Sequence, residues 1–153
     1  MKRVADKADL VLRAHWDGKF PVDPRGIAER MHATLATCSP ESGSIVIKDD
    51  EVVISVNENE SSVRQRFTIA HEIGHWVLGH GSNFRDSPEE FLTQSPSLVE
   101  REANAFAANL LMPKSAVQDK VFVEKASIEA MAEWFNVSRA AMKWRLRNLH
   151  LLS

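Results

Sequence analysis

The opening residues place Val4, Ala8, Val11, Leu12 and Trp16 at near-helical spacing among charged neighbours. That period gathers the apolar side chains into one stripe and predicts a helix over residues 2–16. Phe20-Pro21-Val22-Asp23-Pro24 breaks it, because proline removes a backbone donor and fixes φ. A short helix is predicted through Gly26–Met31, with Asp23 as N-cap and Pro24 at the first helical position. The pattern then changes. Ser44-Ile45-Val46-Ile47-Lys48 and Glu51-Val52-Val53-Ile54-Ser55-Val56 are β-branched runs, and Asp49-Asp50 between them predicts a hairpin with a two-residue turn.

Residues 57–62 are a polar linker into a helix that takes in Arg66-Phe67-Thr68-Ile69-Ala70 and Trp76-Val77-Leu78 and stops at Gly79 and Gly81. A further helix runs from Leu98 to Pro113, where it ends because a residue before proline avoids the helical region. Between them, residues 81–97 are rich in Gly, Ser, Asn, Asp and Pro, with Phe84 and Phe91-Leu92 inserted. A connection of that length reads either as a border of a functional cleft or as an ordinary surface loop. The C-terminal segment predicts a helix over Ile128–Phe135, a turn at Asn136-Val137-Ser138 with Ser138 as cap, and a helix over Arg139–Leu149. Met142, Leu146 and Leu149 form its inner face, and Arg139, Lys143 and Arg147 form a basic stripe at i, i+4, i+8. The pair has the outline of a helix-turn-helix, whose second helix can enter a DNA major groove. Packing or docking of a protein partner is the reading preferred here over direct DNA contact, because charged outer faces are normal on surface helices.

With 153 residues the chain can bury one core, and its 44% hydrophobic and 26% charged content is that of an ordinary globule. A net charge of −2 argues against a protein that coats nucleic acid. The single cysteine, Cys38, excludes an internal disulfide and suits a reducing, cytoplasmic setting. No apolar leader-like region opens the chain and no run approaches about 18 apolar residues, so neither a signal peptide nor a membrane span is expected.

Chemistry concentrates in His71-Glu72-Ile73-Gly74-His75. On a helix, positions i and i+4 share a face, so His71 and His75 can reach one Zn²⁺, while Glu72 beside them can act as general base. A catalytic zinc takes three protein ligands and keeps one open position. Glu100, Ala103, Asn104, Ala107 and Leu111 share one face of the downstream helix. Its small alanines permit the close approach that a carboxylate ligand needs, and Asn104 is placed to bond the free nitrogen of a ligating histidine.

The spaced residues Glu100, Ala103, Asn104, Phe106, Ala107 and Leu110-Leu111-Met112-Pro113, preceded by Arg64-Gln65-Arg66-Phe67-Thr68-Ile69-Ala70 and the His-Glu-Ile-Gly-His stretch, resemble the signature of the ImmA/IrrE metallopeptidases. The resemblance covers residues 24–113 well and the flanks more loosely. It implies one zinc on His71, His75 and Glu100, with Glu72 as the catalytic glutamate. Glu102 is the rival ligand. It lies about 200° around a helix from Glu100, and the family-like spacing to Ala103 and Asn104 counts from Glu100, leaving Glu102 as a solvated charge. The resemblance also implies an α+β zincin-like layout: a small sheet, a motif helix, a second ligand helix, a core over residues 1–113, and a helical subdomain over residues 114–153 packed on it.

The expected function is that of a zinc endopeptidase acting on a specific regulator, a helix-turn-helix repressor or antitoxin, for which Arg139, Lys143 and Arg147 are a candidate docking face. A catalytically silent zinc module and a DNA-binding regulator are the alternatives. An intact Glu72 argues against the first and the net charge against the second. A second oxyanion donor is usually expected, yet the chain has no tyrosine. His80, Arg64 and Arg66 are the candidates. On an unbroken helix His80 falls about 140° from His75, which favours a capping or surface role for it.

Overall fold

The computed structural model describes residues 1–81, 83–84 and 97–152. Phe91-Leu92 and most of the 81–97 connection lie outside these residues. Helix α1 (Lys2–His15) turns Val4, Ala8, Val11 and Leu12 inward, as its stripe predicts. Helix α2 (Pro24–Arg30) begins at the expected cap, where the Asp23 carboxylate accepts the Arg25 N–H at 3.1 Å. Strands β1 (Thr34–Ala36), β2 (Cys38–Lys48) and β3 (Glu51–Asn57) follow.

β2 and β3 form the predicted antiparallel hairpin, with Lys48 opposite Glu51 and Asp49 in the left-handed region at φ 57. An aspartate tolerates that conformation better than most side chains do. Along β3 the pleat buries Val52, Ile54 and Val56, and Ile54 stands opposite Ile45, both with no exposed surface. The sheet has order β1-β3-β2-β4, in which β1 runs parallel to β3 and the two-residue β4 (Asn83–Phe84) extends the other edge.

Helix α3 (Ser62–Val77) carries the His-Glu-Ile-Gly-His stretch. Ser61 caps its start by accepting the Arg64 N–H. Its end is a Schellman closure, in which His80 N–H bonds the His75 carbonyl and Gly79 N–H bonds the Trp76 carbonyl, with Gly79 at φ 77. Helix α4 (Leu98–Leu111) starts at Ser97, which accepts the Glu100 N–H, and stops before Pro113. One buried face was expected of it. Instead Ala103, Phe106, Ala107, Leu110 and Leu111 are all fully buried, because α4 is sandwiched between α3 and α1.

Gly74 permits the α3–α4 contact: a Cβ there would stand 3.0 Å from Phe106 Cβ. Gly43 does the same between sheet and helix, where a Cβ would overlap the Thr68 methyl carbon at 2.2 Å.

After α4 come α5 (Lys114–Gln118), a π-helical turn (Asp119–Val123), α6 (Ile128–Phe135) and α7 (Arg139–Asn148). Asn136 takes φ 55 to close α6, and Ser138 caps α7 by accepting the Ala141 N–H. Met131, Phe135, Met142 and Leu146 belong to the same apolar cluster as the sheet and α3. Phe20 reinforces the link, with its ring centroid 4.5 Å from that of Trp134. No helix among the described residues is long and apolar enough to cross a membrane.

Candidate active site

Helix geometry brings His71 and His75 together on the buried face of α3, with Nε2 atoms 3.1 Å apart. Glu100 reaches them from the first turn of α4. Its Oε1 lies 2.9 Å from His75 Nε2 and its Oε2 lies 3.0 Å from His71 Nε2. The helix N-terminus adds partial positive charge beneath this carboxylate. Burial opposes ionisation of Glu100, but the His71 and His75 imidazoles beside it outweigh that and hold the group well below the usual carboxylate range.

Glu72 is fully buried on the same helix, with Oε1 at 3.9 Å from His71 Nε2. His71, Glu72 and His75 offer ligand atoms within 4.8 Å of one another. Glu100 is closer still to both imidazoles than Glu72 is to His71.

The donor set suits a divalent metal. Two imidazole nitrogens and a carboxylate converge on one point with mutual spacings of 2.9–3.1 Å. A tetrahedral site with bonds of about 2.0–2.1 Å needs ligand spacings of roughly 3.3 Å, so the cluster accepts the ion after a slight opening. In addition, Glu100 Oε2 is buried without a hydrogen bond of good geometry, an orphaned acceptor of the kind a cation would satisfy.

The far nitrogens of both imidazoles are engaged. His71 Nδ1 lies 2.8 Å from Asn104 Oδ1, so Asn104 sits where the sequence reading placed it, one turn beyond Glu100. His75 Nδ1 lies 2.9 Å from His80 Nδ1, and His80 Nε2 lies 3.1 Å from Glu102 Oε1. These contacts correct two expectations. His80 is not a surface residue, its side chain being 8% exposed. The expectation assumed an unbroken helix, whereas Gly79 reverses the chain and folds His80 back over the turn that carries His75. Glu102 is not a solvated charge either, for it joins His80 to Arg3, whose Nη1 lies 3.6 Å from Glu102 Oε2. The only sequence signal for this arrangement was glycine beyond the helix end.

The other oxyanion candidates point elsewhere. The Arg64 guanidinium bonds Ser42 and faces Glu60 at the start of α3. Arg66 donates to the carbonyls of Phe135 and Asn136 at the end of α6. Of the basic stripe, Arg139 and Arg147 are exposed and Lys143 is half-buried, and Arg139 pairs with Glu129 at 2.7 Å. Arg145, which the sequence reading did not single out, is buried among Met112, Asn109 and Asn148, and burial pushes its guanidinium down to about 10 against the opposing charge of Asp9.

An HExxH helix beside a small sheet, with a metal-type donor set between two helices, defines an α+β protein of the zincin-like metallopeptidase class. The family profile of the IrrE N-terminal-like domain, a peptidase family, matches residues 29–147, and the chain belongs to that family. Comparison with curated proteins gives no match.

Proposed function

We propose that the chain is a zinc-dependent endopeptidase that cleaves a specific regulatory protein of the helix-turn-helix repressor or antitoxin class. The observation that carries the reading is the approach of Glu100 to both Nε2 atoms, at 2.9 and 3.0 Å, with Glu72 set apart from them on the same helix as the histidines. His71, His75 and Glu100 would hold the zinc.

Zinc supplies Lewis acidity, lowering the pKa of water toward about 7 and polarising a carbonyl. Glu72 takes the proton of the attacking water on its carboxylate and returns it to the leaving amine nitrogen. Its burial keeps bulk water away and strengthens that exchange. Membership of a peptidase family supports peptide hydrolysis as the reaction. Selectivity is supported by the depth of the site: His71, Glu72 and His75 have no exposed surface, which disfavours casual entry of unrelated chains. Lys143 and Arg147, with Arg139, are the docking face proposed for the regulator.

The test is cleavage by the zinc-loaded chain of the helix-turn-helix proteins encoded beside its gene, with casein as control. Cleavage of one neighbour at a defined bond, lost in Glu72→Gln, is the expected result. Rapid zinc-dependent digestion of casein contradicts a specific regulator as substrate.

A further inference from the structure

We infer that His80 and Glu102 are positioning residues for the metal centre: Glu102 sets the tautomer of His80, and His80 holds His75 with its Nε2 lone pair directed at the metal. The inference rests on the zinc reading above.

Hydrogen bookkeeping carries it. An ionised carboxylate only accepts, so Glu102 Oε1, 3.1 Å from His80 Nε2, requires the hydrogen of neutral His80 on that nitrogen. His80 Nδ1 is then a bare acceptor. It lies 2.9 Å from His75 Nδ1, where two lone pairs or two hydrogens facing each other would repel, so His75 Nδ1 carries a hydrogen and donates. The hydrogen of His75 is thereby spent on the far side of its ring. Its Nε2, the atom 2.9 Å from Glu100 Oε1 and 3.1 Å from His71 Nε2, is left as a free ligand. The reverse arrangement puts a hydrogen on His75 Nε2, which excludes ligation, and leaves Glu102 facing a lone pair.

Asn104 does the same for His71 at 2.8 Å, but in one step and with a neutral group. The His75 side uses two steps and a charge. Arg3 holds that charge in place, with Nη1 at 3.6 Å from Glu102 Oε2 and Nη2 donating to the Leu78 carbonyl at 3.2 Å. The first turn of α1 therefore braces both the carboxylate and the Schellman closure that presents His80. A mere helix-capping histidine would need neither the ring-to-ring contact nor the carboxylate.

Partners of this kind, one shell beyond a ligand, typically contribute 10–100-fold to metal affinity. Titration of the full-length metal-free chain with Zn²⁺ against a chelating dye should show His80→Phe binding about 10–100-fold more weakly than the native chain. His80→Gln, whose amide can accept from His75 and donate to Glu102, should recover most of that loss. The ¹⁵N spectrum of the zinc-loaded native protein should place hydrogen on Nε2 of His80 and on Nδ1 of His75. This readout needs no variant, so it decides the matter even if His80→Phe does not fold. Zinc binding by His80→Phe as tight as native, or a His80 hydrogen on Nδ1, overturns the inference and leaves the zinc centre standing. A native chain that binds no Zn²⁺ overturns both, and the native titration shows this before any variant is made.

Discussion

Glu72 and Glu100 are both buried carboxylates within reach of the same imidazoles, yet their placements assign them different work. Glu100 bridges the two Nε2 atoms, while Glu72 stands at 3.9 Å from one of them. Glu72→Gln keeps shape and hydrogen bonding but cannot take a proton. It should retain native zinc content and fold while cleavage falls on the order of 10²–10⁴-fold, measured as single-turnover rate on the regulator. A rate near the native one would remove Glu72 from the chemistry. At this scale His71, Glu72 and His75 were legible from spacing, because helical periodicity and a short motif encode which side chains share a face, while Glu100, with Asn104 one turn beyond it, was chosen over Glu102 through the family resemblance. His80 and Glu102 were not, because their meeting depends on one left-handed residue, Gly79 at φ 77, which no periodicity records.

Elements meet where side chains are missing. Gly43 on β2 lies against Thr68 on α3, and a Cβ at Gly43 would come within 2.2 Å of the Thr68 methyl and 3.1 Å of the Ser55 carbonyl. Thr68 is fully buried and stiff at χ1, so it cannot step aside cheaply. Gly43→Ala should therefore destabilise the fold by about 1–3 kcal/mol, the usual cost of overpacking, measured by urea unfolding. An unchanged midpoint would mean that the sheet can slide on the motif helix. The hairpin and the four long helices could be read from runs and caps. β1 could not: three residues, each with a parallel partner 19 positions away, leave no local pattern. The face of α4 was read too narrowly for a related reason, since its second buried side is set by α1, packed on it from the other end of the sequence.

Across the whole molecule the C-terminal helices are tied to the site-bearing ones by polar as well as apolar contacts. Arg145 donates to the Met112 carbonyl at 3.0 Å and to Asn109 Oδ1 at 3.2 Å, joining α7 to the end of α4. Arg66 joins α3 to the end of α6. Charged hydrogen bonds of this kind contribute roughly 1.5–3 kcal/mol each, and removing the donor also strands buried acceptors. Arg145→Ala should accordingly lower unfolding stability by at least about 3 kcal/mol. The core cluster that the described residues share predicts that Trp16, near the N-terminus, and Trp134, in α6, report the same urea midpoint. Separate transitions would contradict the packing of residues 114–153 on the rest. On the outer surface, Arg139→Glu with Lys143→Glu should weaken cleavage of the regulator while leaving zinc content unchanged. Equal cleavage by the double variant would move the docking face elsewhere.

The central claim is a zinc centre built from His71, His75 and Glu100 with Glu72 outside it, and native mass spectrometry of the zinc-loaded chain addresses it directly. The native protein and Glu72→Gln should each retain one zinc per chain, and Glu100→Ala should lose it under the same conditions. Full zinc retention by Glu100→Ala, or its loss from Glu72→Gln, would contradict the assignment.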